Sequence, residues 1–569
     1  MEFAKLAEYF EKLEETSSRL ALIDILCDLF SQVKKEEIAQ VCYLLQGRVA
    51  PFYEPIELGM SEKLVAAALA RAYGSSKEDI LKLYGKLGDM GLAAQQQSSK
   101  FKVQSSKLSV TEIFTTLVQI AKTSGEGTVE KKVSALAGLL QKVDPISAKH
   151  LVRVPLGVSR LGIGDPTILD AFAKLKLGDR SKRKLLEGAY NRVSDLGLIG
   201  ETLWEKGLKG VEGLQVQVGR PIRSQLAERL PTAEKVIEKM VKVNAQKKLD
   251  GFRVQIHKDR ENIRLFSRNL EETTPMFPEI VASAQKQIKA KTAILDCEAI
   301  GFNPISEEFL PFQETTQRRR KYGIVEMAKK IPLKAFCFDI LYKDGKSLID
   351  QELGTRLEEL EKTIDNGETI LIEKGEIVDD AGKLQIILDE AISIGLEGLV
   401  VKRPDSKYEA GARNFNWVKL KRHSSGELQD TIDCVILGYI FGKGKRVSFG
   451  AGALLVGVYD DKKDEFVTVS KIGTGLTDEE WRSIEVKSKN LKVKNKPARV
   501  NSKITPSVWV EPKIVIEVLA DEITKSPLHT AGLALRFPRL IKFREADKKA
   551  EDATTLKELM EMYKQQFKK

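Results

Sequence analysis

The stretch Gln246-Lys247-Lys248-Leu249-Asp250-Gly251-Phe252-Arg253 decides the reading of this chain. At its centre, Lys248 stands two places before the pair Asp250-Gly251. On an extended backbone side chains alternate, so Lys248 and Asp250 project to one face. A glycine at 251 lets the backbone turn close to a bound ligand. Lys248 is therefore a candidate covalent nucleophile. The same residues also fit a plain hairpin turn built on Asp-Gly. In a lysine-rich chain four residues do not decide between these readings, but the order of the groups downstream of Lys248 does.

With 569 residues the chain exceeds one core, and its length predicts roughly three to four domains. Hydrophobic content of 42% and charged content of 30% predict a soluble, globular protein. The start, Met1-Glu2-Phe3-Ala4-Lys5-Leu6, lacks the pattern of a signal peptide. No run approaches the ~20 apolar residues of a membrane span. Cys27, Cys42, Cys297, Cys337 and Cys434 are scattered without a Cys-x-x-Cys pair. That argues against a zinc site and a disulfide framework, and fits a reducing, cytoplasmic compartment. The net charge of +11 permits binding to a polyanion.

Residues 1–212 read as helical, with Phe3, Leu6, Phe10 and Leu13 at helix spacing, and again Ile168, Leu169, Phe172 and Leu175 after Asp165-Pro166-Thr167. Gln95-Gln96-Gln97-Ser98-Ser99-Lys100 reads as a surface loop. Gly219-Arg220-Pro221-Ile222-Arg223 reads as an extended linker. Residues 213–423 then alternate strands (253–257, 263–267, 293–300, 335–342, 399–402) with helices such as 384–394. After the polar segment His423-Ser424-Ser425-Gly426-Glu427, residues 424–569 hold short strands (434–439, 453–459, 466–470, 514–519), which predict a small barrel of OB type. A last helix starts near Thr554 or Thr555, with Leu556, Leu559, Met560, Tyr563 and Phe567 as its apolar stripe. The predicted class is thus multidomain α+β: an all-helical N-terminal domain, a mixed α/β domain and a C-terminal OB-fold β-barrel.

Chemistry-bearing groups come after Lys248 in order. Ser267-Arg268-Asn269 ends a strand. Leu295-Asp296-Cys297-Glu298 sets two acids at strand spacing. Phe338-Asp339 supplies an aromatic, and Glu397-Gly398-Leu399-Val400-Val401-Lys402 an acid and a lysine. Trp417-Val418-Lys419-Leu420-Lys421 puts two lysines on one face. Arg536-Phe537-Pro538-Arg539 and Arg544-Glu545-Ala546-Asp547-Lys548 close the chain with a basic cluster. Each alone has a bland reading: solvated faces for the acids and lysines, core for Phe338, a surface charge run for 536–548. As an ordered set they fit nucleotidyl transfer. A lysine amine titrates near 10.4, so only ~0.1% is neutral near pH 7.5, a handicap of about 4 kcal/mol. Neighbouring cations (Arg253, Lys419, Lys421) and a metal held by Glu298 and Glu397 would lower it. The same charges would steady a triphosphate, and Phe338 would stack on a purine.

This set resembles the six ordered motifs of covalent nucleotidyltransferases. The long helical region before Lys248, the spacing Tyr408-x-x-Gly411-x-Arg413-x-x-x-Trp417-x-Lys419-x-Lys421, and Arg536-Phe537-Pro538-Arg539 narrow it to ATP-dependent DNA ligases of the archaeal and eukaryotic replicative type. The resemblance implies a helical DNA-binding domain, an adenylation domain and an OB-fold domain around nicked duplex DNA, acting in replication, repair and recombination. It implies a monomer using ATP and magnesium, for which manganese can substitute. Lys248 would carry AMP. Gln246, Arg253, Arg268, Glu298, Phe338, Arg413 and Lys419 would contact the nucleotide, and Glu298 and Glu397 the metal. Arg536, Arg539, Arg544, Asp547 and Lys548 would orient pyrophosphate. Gln97-Ser98-Ser99-Lys100-Phe101 sits where archaeal relatives carry a sliding-clamp peptide, but lacks paired aromatics.

One position departs from the pattern. The family has glutamate two places before the lysine, where it reads the adenine amino group, and this chain has Gln246. A glutamine offers an acceptor or, flipped, a donor suited to a guanine oxygen, so the sequence predicts looser nucleotide choice. Two alternatives stand beside the ligase reading. A related RNA ligase or capping enzyme would usually lack the helical region, and a non-catalytic nucleic-acid binder would not need the ordered motifs.

Overall fold

The computed structural model describes residues 1–569 apart from 102–106, 303–308, 311, 321, 366, 394–395, 422–430, 442–449, 474–475, 521, 527, 537, 545–547 and 567–569. The chain forms two compact units, one reaching to Arg422 and one from His423 on, with Tyr84–Asp89 grouped in the second. Among the described residues no helix is long and apolar enough to cross a membrane.

The first unit opens with helices from Phe3–Glu14 to Leu196–Glu212. Phe3, Leu6, Phe10 and Leu13 recur on one face and all are buried. Helix Asp165–Leu177 has Pro166 in its first turn, where the missing N–H costs nothing, and ends at Gly178 with φ +72°. The expected loop at 95–100 is instead mostly helix, Met90–Ser98, with Gln97 and Ser98 buried. Small Ala93 and Ala94 let this helix pack against helix Pro145–Arg153, a closeness that polar composition does not reveal.

Beyond the helices the chain builds two sheets. Their strands, in chain order, are β1 (Leu226–Arg229), β2 (Val243–Lys247), β3 (Phe252–Asp259), β4 (Asn262–Ser267), β5 (Thr292–Gly301), β6 (Leu333–Lys343), β7 (Lys346–Ser347), β8 (Ile370–Ile372), β9 (Glu376–Val378), β10 (Gly398–Lys402) and β11 (Arg413–Lys421). One sheet runs β1-β11-β10-β2-β9. The other runs β4-β3-β5-β6-β7, with β8 alongside β6. β2 and β3 therefore lie in different sheets, and Lys248-Leu249-Asp250-Gly251 crosses between them. That removes the hairpin reading.

Each sheet buries one face under helices. Val243, Ala245, Leu399, Val401, Val418 and Leu420 pack under Ala233–Met240 and Ala381–Ser393. Phe252, Val254, Ile256, Leu295 and Cys297 pack under Pro278–Gln287 and Leu353–Thr363. The two remaining faces look toward each other, joined by an apolar cluster that includes Ile294, Leu341, Tyr408 and Trp417. Cys297 and Cys337 sit directly opposite on β5 and β6 and are joined as a disulfide. Nothing in their spacing marks this pair, because strand register brings the two cysteines together.

The linker after Glu212 is extended, as its proline predicts, and lies on the polar side of β3. The Gly219 N–H donates to His257 Nδ1 (3.0 Å), and the Gln255 side chain pairs with both the N–H and the carbonyl of Ile222. Arg223 then reaches the helical part through Asp165 at 2.7 Å.

The second unit is β-rich, as expected. Ile432–Phe441 is its central strand. It pairs antiparallel with Ala451–Asp460, Val508–Val510 and Val515–Leu519, and Ala451–Asp460 pairs with Glu465–Ile472. The last helix, Leu556–Gln565, starts at Thr555 with a reciprocal capping bond to Glu558. Leu559 is fully buried, but Met560 is 42% exposed and Met562 packs in its place. Phe567 lies outside the described residues.

Candidate active site

The crossover holds Lys248 by its backbone. Its N–H donates to the Gly398 carbonyl (2.8 Å), continuing the β2–β10 ladder one residue past β2. Gly251 is required for the crossing. A Cβ there would lie 2.2 Å from the Ala299 carbonyl on β5, so the close approach is to the second sheet rather than to a ligand. The Lys248 Nζ lies 2.6 Å from Glu397, and Lys421 Nζ approaches the same oxygen at 3.0 Å. Burial works to raise the Glu397 carboxyl, but Lys248 and then Lys421 outweigh it and hold the group well below the usual carboxylate range.

Lys248 opens onto a cavity of about 350 Å³ between the sheets, a size suited to a small ligand. Cross-strand pairing on the first sheet builds much of its wall. Gln246, Val400 and Lys419 form one cross-strand row, and Lys402 and Trp417 pair in the next. Lys248, Lys419 and Arg268 make one end cationic. Burial, and then the like charges of Lys248 and Arg268, push the Lys419 ammonium below its ordinary value. Such a crowd of cations is relieved by a polyanion.

The other end is aromatic, and there the second sheet breaks its pattern. The β5–β6 register shifts between Asp296 and Cys297, so that Cys337 pairs with Cys297, Asp339 with Asp296, and Phe338 is the extra residue of a β-bulge. The bulge turns the ring toward the cavity it lines. It also leaves the Phe338 carbonyl to two donors from the other sheet, Gln246 Nε2 and Lys402 Nζ, each at 3.3 Å. Lys402 is 1% exposed and sits over the Phe338 and Trp417 rings at 4.4 and 4.0 Å. Burial drives its ammonium down to about 7.

Gln246 Nε2 also donates to the Glu373 carbonyl at 2.9 Å. Carbonyls only accept, so the two contacts fix the amide and leave Oε1 as the group Gln246 offers to the cavity. The sequence left both amide orientations open, and the geometry selects the one that accepts from an amine.

Not every predicted site residue faces the cavity freely. Arg253 lines it, but its guanidinium is bidentate to the fully buried Asp296 and also touches the Tyr408 hydroxyl (3.3 Å). It braces the floor, 5.0 Å from the Phe338 ring. Glu298 is half-buried opposite Arg253, and burial pushes its carboxyl up to about 7 against the pull of Arg253 and Lys248. Arg413 is exposed at the start of β11 and does not line the cavity. Behind the floor, Asp339 and Arg356 form a bidentate pair at 2.7 and 3.0 Å, both fully buried.

In the second unit Arg544 lies 2.9 Å from Glu517 and 3.6 Å from Asp433, and Lys548 lies 2.5 Å from Asp433. Arg539 is exposed at the start of strand Arg539–Phe543. Arg536 ends strand Leu533–Arg536, and Asp547 lies outside the described residues. The sequence placed Lys402 and Trp417 within the motifs without a nucleotide contact and did not single out Gln225, and all three line the cavity. Strand alternation marks the first two, whereas nothing in the sequence marks Gln225.

Models of known families match three parts of the chain. The DNA ligase N terminus matches residues 2–173, the ATP dependent DNA ligase domain 224–421, and the ATP dependent DNA ligase C terminal region 448–548. The chain belongs to the ATP-dependent DNA ligase family. It is 48% identical over 575 residues to a probable DNA ligase of Dictyoglomus turgidum, covering all of this chain and 98% of that one. It is 39% identical over 592 residues to a DNA ligase of Sulfolobus acidocaldarius, covering 100% and 99%. The solved structure Pmar-Lig_PreS3 shares the fold at a TM-score of 0.53 and 16% identity, covering 95% of this chain and 99% of that one. This ligase is therefore similar over its whole length to both relatives.

Proposed function

We propose that the chain seals nicks in duplex DNA through a lysine–AMP intermediate on Lys248. The observation that carries this reading is the cavity itself. It combines a lysine, an aromatic ring, an amide acceptor and a cationic end in the order that a nucleoside triphosphate requires. Trp417 Nε1 adds a buried donor with no partner among the described residues. In the first step the Lys248 amine attacks the α-phosphate of ATP, a P–N bond forms and pyrophosphate leaves. Lys248 must first leave Glu397 and shed a proton. In the second step a 5′-phosphate oxygen attacks the adenylate phosphorus and frees Lys248. In the third, the 3′-hydroxyl attacks the activated phosphate and AMP departs.

Magnesium keeps several waters and needs only one or two carboxylates beside phosphates. Glu298 fits such a donor, because a cation would relieve the charge that burial penalises. Glu397 fits only after releasing its two lysines. A bound magnesium ion would neutralise charge on the phosphates. Gln246 accepts from the adenine amino group, Phe338 stacks on the base, and Arg268 and Lys419 hold phosphate. Residues 1–212 bind DNA, 213–423 carry adenylation, and 424–569 supply Arg536, Arg539, Arg544, Asp547 and Lys548 for pyrophosphate. The setting is the cytoplasm, with the chain acting as a monomer. Within 97–101, Phe101 is the one aromatic open to a sliding clamp, and a plain surface contact fits this segment better. Gln97 and Ser98 are buried, whereas Phe101 is 45% exposed with its ring 5.6 Å from Tyr73.

The match of residues 2–173 to the ligase N terminus favours a DNA ligase over an RNA ligase. The test is incubation with ATP and magnesium, then intact-mass measurement and a nick-sealing assay on DNA and RNA duplexes. We expect a gain of one AMP and sealing of DNA; a folded protein that gains no mass would overturn the reading.

A further inference from the structure

We infer that Gln225 is a further nucleotide-binding residue, donating one hydrogen bond from Nε2 to an uncharged acceptor on the nucleoside half of ATP. The inference rests on the proposed reading of the cavity as an ATP site. Gln225 ends the linker just before β1, is 1% exposed and lines the cavity. Its polar atoms are nearly all engaged. The backbone N–H donates to the Tyr408 hydroxyl (3.2 Å), and the backbone carbonyl lies 3.5 Å from Arg253 Nη1. Oε1 accepts from the Glu409 N–H at 2.9 Å. An N–H can only donate, so the amide orientation is fixed and Nε2 is the donor side.

That Nε2 is buried and has no partner among the described residues. A buried donor without a partner is destabilising, and a cavity ligand with an acceptor removes that cost. The surroundings place the acceptor on the nucleoside. Gln225 borders Arg253, which lies against the Phe338 and Trp417 rings, whereas Lys248 and Lys419 mark the phosphate end. A ribose oxygen and a purine ring nitrogen share this chemistry, and nucleotide analogues distinguish them.

The experiment compares the wild-type ligase with Gln225→Glu, which keeps the acceptor for Glu409 but removes the donor, and Gln225→Met, which removes both. ATP binding by calorimetry and the KM and kcat of AMP attachment are read beside the melting temperature. We expect folded variants in which the loss falls on KM and Kd, roughly 3–10-fold. In the wild type, one of 2′-deoxy-, 3′-deoxy-, 1-deaza-, 3-deaza- or 7-deaza-ATP binds weaker by a similar factor, and the variants no longer discriminate against that analogue. Folded variants that bind ATP as the wild type does overturn the inference. So does a wild type indifferent to all five analogues, a test that stands even where the variants do not fold. A wild type that binds no ATP sinks the cavity reading itself, a separate result.

Discussion

The sheet that carries Lys248 and the sheet that carries Phe338 meet at one cavity, yet only the β2–β10–β11 ladder of the first keeps an unbroken register there. On β2, β10 and β11, Gln246, Val400, Lys402, Trp417 and Lys419 line the cavity, and Val243, Ala245, Leu399, Val401, Val418 and Leu420 between them face the core. On β6 the parity changes within the strand. Leu333, Ala335 and Cys337 face the core, and then Ile340 does, because Phe338 is bulged. The regular sheet presents charged groups at fixed spacing. The irregular one uses its bulge to aim one ring and expose one carbonyl. Under the proposed function, the nucleophile thus sits where geometry is most predictable, and the stacking ring sits where the ladder is locally broken.

The largest expected effect tests the regular sheet. Lys247 and Lys248 are neighbours and both border the cavity, but it is Lys248 whose amine lies 2.6 Å from Glu397. Lys248→Ala should abolish AMP attachment by intact mass, and Lys247→Ala should retain it. The reverse result would mean the register is wrong by one residue, which inverts the whole face.

Next in size are the pairs that support the irregular sheet. Asp339 follows the bulge directly and is held by Arg356. Removing one partner leaves a buried charge alone, so Asp339→Ala should destabilise the first unit by about 3–5 kcal/mol. Asp339→Leu combined with Arg356→Met should recover most of that loss, as buried pairs commonly offset little beyond their own desolvation. Denaturant unfolding monitored by tryptophan fluorescence would read both. A single variant as stable as the wild type would show that the bulge does not depend on this pair.

The polar side of the irregular sheet also predicts a pH dependence. Burial, and then Arg264, hold His257 down to about 3, against an ordinary value of about 6.5. Its neutral form accepts from Gly219 and so pins the linker. A lowered folded value means this stability is fully present above about pH 6.5 and is lost as pH falls toward 3. The slope reaches up to about 1.4 kcal/mol per pH unit. His257→Gln, which does not titrate, should show a flatter acid limb in melts between pH 6.5 and 4. Parallel limbs would refute the assignment.

The same contrast explains what the sequence disclosed. Lys248, Gln246, Lys402, Lys419 and Lys421 are legible because period-two alternation needs no tertiary knowledge. Phe338 is legible as an aromatic in an apolar strand, but its bulge depends on the register against β5, some forty residues away. Arg253 looks free in sequence, and only folding shows Asp296 taking its guanidinium. Polar letters at 95–98 suggested a loop because composition cannot show that Gln97 finds a buried place beside Ser75. Gln225 is silent for a similar reason. An amide in an extended linker has no periodicity to mark it.

The smallest expected effect joins the two sheets. Gln246 lies on the regular sheet but is oriented by the carbonyl that the bulge releases. A carboxylate there would face the carbonyls of Phe338 and Glu373 with no N–H to give. Gln246→Glu should therefore weaken AMP attachment from ATP rather than improve it, although glutamate is the usual residue at this position in the resembling family. Two net hydrogen bonds of about 0.5–1.5 kcal/mol each place the loss at roughly 10–100-fold. The wild type should strongly prefer ATP to GTP, since Oε1 accepts from a 6-amino group and meets the 6-oxo group of guanine as a second acceptor. Single-turnover labelling with both nucleotides checks this. A glutamate variant as fast as the wild type would show that the amide is not locked in solution. Equal use of GTP would show that base choice is made elsewhere in the cavity.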